Sequence, residues 1–171
     1  MNEKQKSDNG NQKNKLTLYF AYGANLNLDG MAYRCPGFKP IGPALLPNYR
    51  FAFKGVADVE PALGESVYGA IYLLTPAHMQ ALDRFEGFPN LYIKKQAVVR
   101  VLDNINPKHF TMATIYIMRN GDRCAEPSWQ YLDIILNGCR QWNLPEDYQD
   151  EIQRRAYHPH LITKKELFSL T

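Results

Sequence analysis

Cysteine is scarce in this chain, and the three present, Cys35, Cys124 and Cys139, contain no C-x-x-C pair. An odd count with no apolar leader ahead of it fits reduced thiols better than a disulfide framework. Long apolar runs are missing too. Residues 16–22, LTLYFAY, are too few for a signal core or a membrane span, so the chain is expected to be soluble and cytoplasmic, with no membrane partner. Neither sign of charge dominates: the net charge is +3, too small to argue for nucleic acid or an anionic surface. Phosphate-cradling loops of the G-x-x-x-x-G-K or G-x-G-x-x-G kind do not occur. None of Ser7, Ser66, Ser128 and Ser169 sits in G-x-S-x-G. His78, His109, His158 and His160 are scattered, and the His-Pro-His at 158–160 reads as a surface tail. No metal and no cofactor is expected from this pattern.

Apolar residues make up 45% of the 171, with 11 Tyr and 8 Phe, enough for one domain with a sizeable core and aromatic-walled pockets. Residues 1–15 lack an apolar periodic face and are expected to be a disordered tail. No repeat or linker divides 16–157, which reads as one domain. Residues 158–171 form an extension that either continues a helix or packs on a neighbour.

Within the domain, 16–21 reads as a strand and 27–34 as a short helix weakened by Gly30. The proline-rich stretch 36–48 reads as a loop, 49–55 as a strand and 57–66 as irregular. The run 67–74 is a strongly apolar strand whose Gly69 marks a bulge or a close backbone approach. Thr75-Pro76 signals a helix start, and that helix should stop before Gly87. Residues 91–102 and 110–118 read as strands, the second apolar on both faces, as in a small closed barrel. Ser128 caps a helix running to about Trp142, with Leu132, Ile135, Leu136, Cys139 and Trp142 on one face. Pro145 opens another helix. The order is mixed α+β rather than a βαβ repeat.

Two stretches carry candidate chemistry. In LYFAYGANL, residues 18–26, a strand breaks at Gly23. A sharp turn there would present successive backbone N–H groups as an anion-binding concavity. Gly23 can take a positive φ and admit a ligand close to the backbone, and the Asn25 amide can hold the turn. An ordinary strand-to-loop turn is the plainer account of the same residues. The second stretch holds Glu86, at the end of a helix and between Phe85 and Phe88. The negative helix end and poor hydration would both disfavour the carboxylate and raise its pKa, as a proton shuttle requires; a solvated Glu at a helix end is the plainer account of this residue alone. Asp83 is the competing carboxylate, placed on the helix with a structural role.

Three segments together, LYFAYGANL at 18–26, LDRFEGFPNLY at 82–92 and PSWQYLDIILNGCRQWNLPEDYQDEI at 127–152, resemble the γ-glutamylcyclotransferase family of AIG2-like folds. The third segment favours γ-glutamylcyclotransferases over the γ-glutamylamine branch. The resemblance implies an α+β fold, a small mixed β-barrel flanked by helices. It implies an enzyme that converts the γ-glutamyl group of a small-molecule γ-glutamyl amino acid or peptide to 5-oxoproline and releases the amine. Glu86 then matches the general acid/base. Tyr19, Tyr22, Gly23, Ala24, Asn25 and Leu26 match the substrate-binding loop, and Tyr92 and Tyr131 match pocket-lining aromatics. The family loop usually reads Tyr-Gly-Ser-Asn, whereas this one has Ala24. The loss matters little if the loop acts through main-chain N–H groups, and alters affinity or range if the hydroxyl bonds the substrate. A cyclotransferase for γ-glutamyl amines or other conjugates, and a non-catalytic γ-glutamyl-binding domain, remain open at this point, as does a monomer or a homodimer.

Overall fold

The computed structural model describes residues 15–103, 106, 109–121, 123–161 and 163–169; of the tail expected over 1–15, only Lys15 falls within them. Five strands, β1 (Thr17–Ala21), β2 (Lys39–Phe53), β3 (Ala57–Leu74), β4 (Tyr92–Val101) and β5 (Phe110–Met118), close a barrel in the order β1-β3-β2-β4-β5. Neighbours are antiparallel except β5 and β1, which meet in parallel with Tyr19 opposite Thr114. Around the barrel lie α1 (Leu28–Arg34), α2 (Pro76–Phe85), α3 (Trp129–Gln141), α4 (Glu146–Tyr157) and the short α5 (Lys164–Phe168), with a 3₁₀ turn at Ala24–Leu26. This is the α+β class expected.

Apolar strand runs and helix caps account for most of these elements. Phe20, Leu46, Ile71, Tyr72, Leu74 and Ile115 are fully buried in the barrel core. Residues 113–117 of β5 are buried in succession, as a strand covered on both faces should be, while Met112 at its outer end is exposed. Thr75 caps α2 by accepting from the His78 N–H, and His78 Nδ1 accepts from the Thr75 N–H in return, a reciprocal cap with Pro76 in the first turn. Ser128 caps α3 by accepting from the Tyr131 N–H. In α4, Glu146 and Asp147 open the helix and Arg154 and Arg155 close it, each sign at the dipole end it stabilises. Cys139 is fully buried on α3, as its helical spacing suggested.

Two expectations are corrected. The stretches 36–48 and 57–66 are not irregular: most of the first and all of the second belong to one long hairpin, β2 with β3. Prolines 40, 43, 47 and 61 obscured it. A proline removes a ladder donor, but β2 meets β4 only through Ala44 and Leu45, so most of its other edge needs no donors. The register shifts between Pro40 and Gly42 and between Pro47 and Tyr49 absorb the rest. The C-terminal segment does not continue α4. It turns at His158 and returns, with Leu167 buried, Arg154 Nη1 donating to the Leu167 carbonyl and Lys164 paired to Glu151 at 2.8 Å.

Gly69 governs how β1 leaves the barrel. A Cβ there would lie 2.3 Å from the Ala21 carbonyl oxygen and 2.4 Å from Phe20 Cζ, so the end of β1 rests directly on the glycine backbone. The close approach anticipated at this residue is present. Gly69→Ala is expected to lower stability by about 2–3 kcal/mol, since both obstructions belong to packed core; urea unfolding measures it, and a loss below about 0.5 kcal/mol would contradict this account.

Candidate active site

The chain leaves β1 at Ala21 and folds into the 3₁₀ turn across one side of the barrel. Gly23 has φ −112° and ψ −135°, so the expected positive φ is not what requires glycine here. Space requires it: a Cβ would sit 2.9 Å from Ala57 Cβ. The turn closes with the Leu26 N–H on the Gly23 carbonyl at 2.9 Å, and Asn27 caps α1 by accepting from the Gly30 N–H. The loop carbonyls are fastened from the core side. The Tyr72 hydroxyl donates to the Asn25 carbonyl at 2.9 Å, and Trp142 Nε1 donates to the Leu26 carbonyl at 3.0 Å. The Gly23 and Asn25 N–H groups have no acceptor among the described residues.

Glu86 reaches the loop because of how α2 ends. Gly87 has φ +64°, a conformation glycine adopts without a Cβ clash. It lets the Phe88 N–H return to the Asp83 carbonyl at 2.9 Å and the Gly87 N–H to the Arg84 carbonyl at 3.4 Å, the double bond that stops a helix. Glu86 is the capping residue of that stop. Asn25 Nδ2 donates to Glu86 Oε1 at 2.7 Å and to the Tyr19 hydroxyl at 3.0 Å. The Asn25 amide therefore does not hold the turn, as the sequence suggested; it holds the acid. Phe88 is also displaced from its expected place, lying under Lys94 Nζ at 4.3 Å. Asp83 is occupied elsewhere, accepting from the Tyr116 hydroxyl at 2.6 Å and from Lys94 at 3.0 Å.

Loop and acid share one narrow cleft. Tyr19, Tyr22, Gly23, Ala24, Asn25, Glu86, Tyr92 and Tyr131 all line it. Leu26 does not: its side chain is fully buried, turned toward α3, where a Cβ on Gly138 would meet Leu26 Cβ at 2.6 Å. Its apolar side chain serves packing, which corrects its place among the loop's ligand-facing residues. Three further liners, Ala57, Phe85 and Tyr116, were not assigned to the site from sequence. In the sequence Phe85 is only a neighbour of Glu86, Tyr116 only a strand residue, and Ala57 the start of a stretch without a clear strand pattern.

The tyrosine hydroxyls are mostly engaged. Tyr22 donates to the Tyr116 carbonyl at 2.6 Å, Tyr92 donates to the Ala57 carbonyl, and the Ala57 N–H donates to the Tyr131 hydroxyl at 3.2 Å. Ala57 thus pins both outer tyrosines. Burial pushes Tyr19, Tyr22, Tyr92 and Tyr116 well above the usual phenol range and Tyr131 up to about 12, so all five stay neutral. Burial also pushes Glu86 up to about 7, against the Arg34 cation and the Asn25 amide, which favour the carboxylate. The cleft therefore holds one group able to exchange a proton near neutrality, set among neutral donors and free main-chain amides.

A family model described as Gamma-glutamyl cyclotransferase, AIG2-like, matches residues 19–134. Among curated proteins, the chain is similar to the gamma-glutamylcyclotransferase of Homo sapiens, 28% identical over 161 residues that span 86% of this chain and 82% of the relative. It is similar to that of Mus musculus, 26% identical over 155 residues, 83% of this chain and 80% of the relative. Among solved structures, a gamma-glutamyl cyclotransferase superposes with a TM-score of 0.73 at 25% identity, over 81% of this chain and 87% of that one. Among the described residues no helix is long and apolar enough to cross a membrane.

Raising the pKa of a carboxyl on folding costs stability once it ionises. The cost is absent below the unfolded value of 4.5 and complete above about 7. Glu86→Gln is therefore expected to be more stable than the parent at pH 8 by on the order of 2–3 kcal/mol, with the difference vanishing by about pH 4. Urea unfolding across that range measures it; a difference independent of pH would contradict the placement of Glu86.

Proposed function

Because the chain belongs to the Gamma-glutamyl cyclotransferase, AIG2-like family, a family of enzymes, we propose that it cyclises the γ-glutamyl group of γ-glutamyl amino acids or peptides to 5-oxoproline, with Glu86 as the acid/base. The observation that carries this reading is the 2.7 Å bond from Asn25 to Glu86, which sets a proton-exchanging carboxyl beside main-chain amides that lack acceptors.

The substrate brings its own nucleophile. The Glu86 carboxylate takes a proton from the α-ammonium group. The freed amine attacks the γ-carbonyl carbon, and a C–N bond forms as the carbonyl oxygen becomes an oxyanion. The Gly23 and Asn25 N–H groups are the donors for that oxyanion; losing one such donor typically costs about 3–4 kcal/mol of barrier. Glu86 returns its proton to the departing nitrogen, the original amide bond breaks, the ring nitrogen gives up its second proton to the released amine, and 5-oxoproline and the ammonium product leave. One carboxyl serves both transfers because it gives up in the second step what it gained in the first.

Main-chain donation makes the side chain at 24 secondary. Ala24 offers no hydroxyl. Tyr19, Tyr92 and Tyr131 wall the cleft as neutral groups and fold the substrate so that amine and carbonyl meet. Good intramolecular alignment corresponds to effective molarities on the order of 10⁵ M or more.

Incubation with γ-glutamyl-alanine, with a γ-glutamyl amine as the comparison, should release 5-oxoproline from the first. Glu86→Gln should lower kcat by about 10²–10⁴-fold with the fold intact. In the parent enzyme kcat/KM should rise with pH to a plateau above about 7, as the carboxylate forms. Turnover retained in the Gln variant, or no rise through that range, would refute the acid/base role.

A further inference from the structure

Arg34 closes α1 next to the cleft in surroundings that leave its charge unspent. Its Cζ lies 4.1 Å from the centroid of the Phe85 ring, the residue before Glu86. Its Nε and Nη2 are shut off from solvent and have no hydrogen-bond acceptor. Among the described residues it forms no ion pair. A guanidinium does not discharge at working pH, so a half-buried one without a carboxylate of its own acts on any acid sharing its low-dielectric surroundings.

That acid is Glu86. The groups that face it are Tyr19 from β1, Tyr22 and Asn25 from the loop, Tyr92 from β4, Tyr116 from β5 and Tyr131 from α3, all neutral. The nearby carboxylates are already matched: Asp58 is paired to Lys54 at 2.9 Å and Asp83 to Lys94 at 3.0 Å. Cys35, beside Arg34, is a buried thiol that burial keeps protonated. Of these groups only Arg34 carries a positive charge toward Glu86.

We propose that Arg34 is a positioning residue for Glu86: stacked on Phe85, it holds that wall of the cleft and supplies the countercharge that keeps the carboxylate available to accept a proton. The proposal rests on the acid/base reading of Glu86. Without the cation, the Asn25 hydrogen bond alone opposes burial, the carboxyl holds its proton to higher pH, and the first proton transfer slows at neutral pH.

The test follows the Glu86 carboxyl directly by ¹³C NMR titration, its signal assigned by its loss in Glu86→Gln. In Arg34→Gln the midpoint should move up by about one pH unit or more; in Arg34→Lys, which keeps the charge and loses the planar stack, it should stay within about half a unit of the parent. Arg34→Met replaces the Gln variant if that one does not fold. The rising limb of kcat/KM should shift in step, so that activity at pH 6 falls about tenfold while activity at pH 9 largely recovers. A midpoint unmoved by loss of the charge, with activity lowered equally at every pH, would overturn the proposal and leave Arg34 a packing residue. A parent protein that makes no 5-oxoproline would refute the proposed function instead, while the titration would still decide the role of Arg34.

Discussion

The hydrogen bond from Asn25 to Glu86 joins residues 61 positions apart, and the arrangement of the cleft depends on it. One end is set by the barrel. β1 stops against Gly69, the chain turns at Gly23 over Ala57, and Tyr72 and Trp142 hold the loop carbonyls from below. The other end is set by the stop of α2 at Gly87. Neither half places a proton-exchanging group beside open amides without the other. The Asn25 amide spends both its hydrogens on this junction, one on Glu86 and one on the Tyr19 hydroxyl, so the acid is held to the same loop that offers the amides.

Opposing electrostatic effects meet at that junction. Burial favours the neutral carboxyl, while the Arg34 cation and the Asn25 hydrogen bond favour the carboxylate. Burial prevails by enough to bring the group near neutrality without locking it in the protonated state. The surrounding tyrosines contribute shape and polarity but no charge, because burial keeps them protonated. In the proposed reaction this balance lets one side chain accept and then return a proton at the same pH.

Much of this was legible in the chain itself, and the parts that were not have physical causes. Apolar runs exposed β1, β4, β5 and the second half of β3, and alternation exposed the end of β2; hydroxyl caps at Thr75 and Ser128 exposed α2 and α3. Glycine placement and flanking aromatics marked the loop at 22–25 and Glu86 only as candidates, and it was the resemblance of three segments to the family that singled them out. The long hairpin was hidden because proline counts against a strand, and only tertiary pairing reveals which edge needs no donors. Gly23 was assigned to backbone freedom when the constraint is the Ala57 side chain, a residue 34 positions away by the numbering. Leu26 was grouped with the loop because it is contiguous with it, although one further residue of 3₁₀ turn carries the side chain into the core. Tyr116 and Arg34 had no local signal, since each meets α2 from another element, at Asp83 and at Phe85.

The central claim is that the acid and the loop amides grip one γ-glutamyl group between them. A crystal structure of Glu86→Gln with a γ-glutamyl amide bound tests it most directly. The account predicts the γ-carbonyl oxygen within hydrogen-bond distance of the Gly23 or Asn25 N–H and the α-nitrogen against the side chain at 86. A ligand seated elsewhere, or bound in this cleft with its α-nitrogen turned away from residue 86, would contradict it.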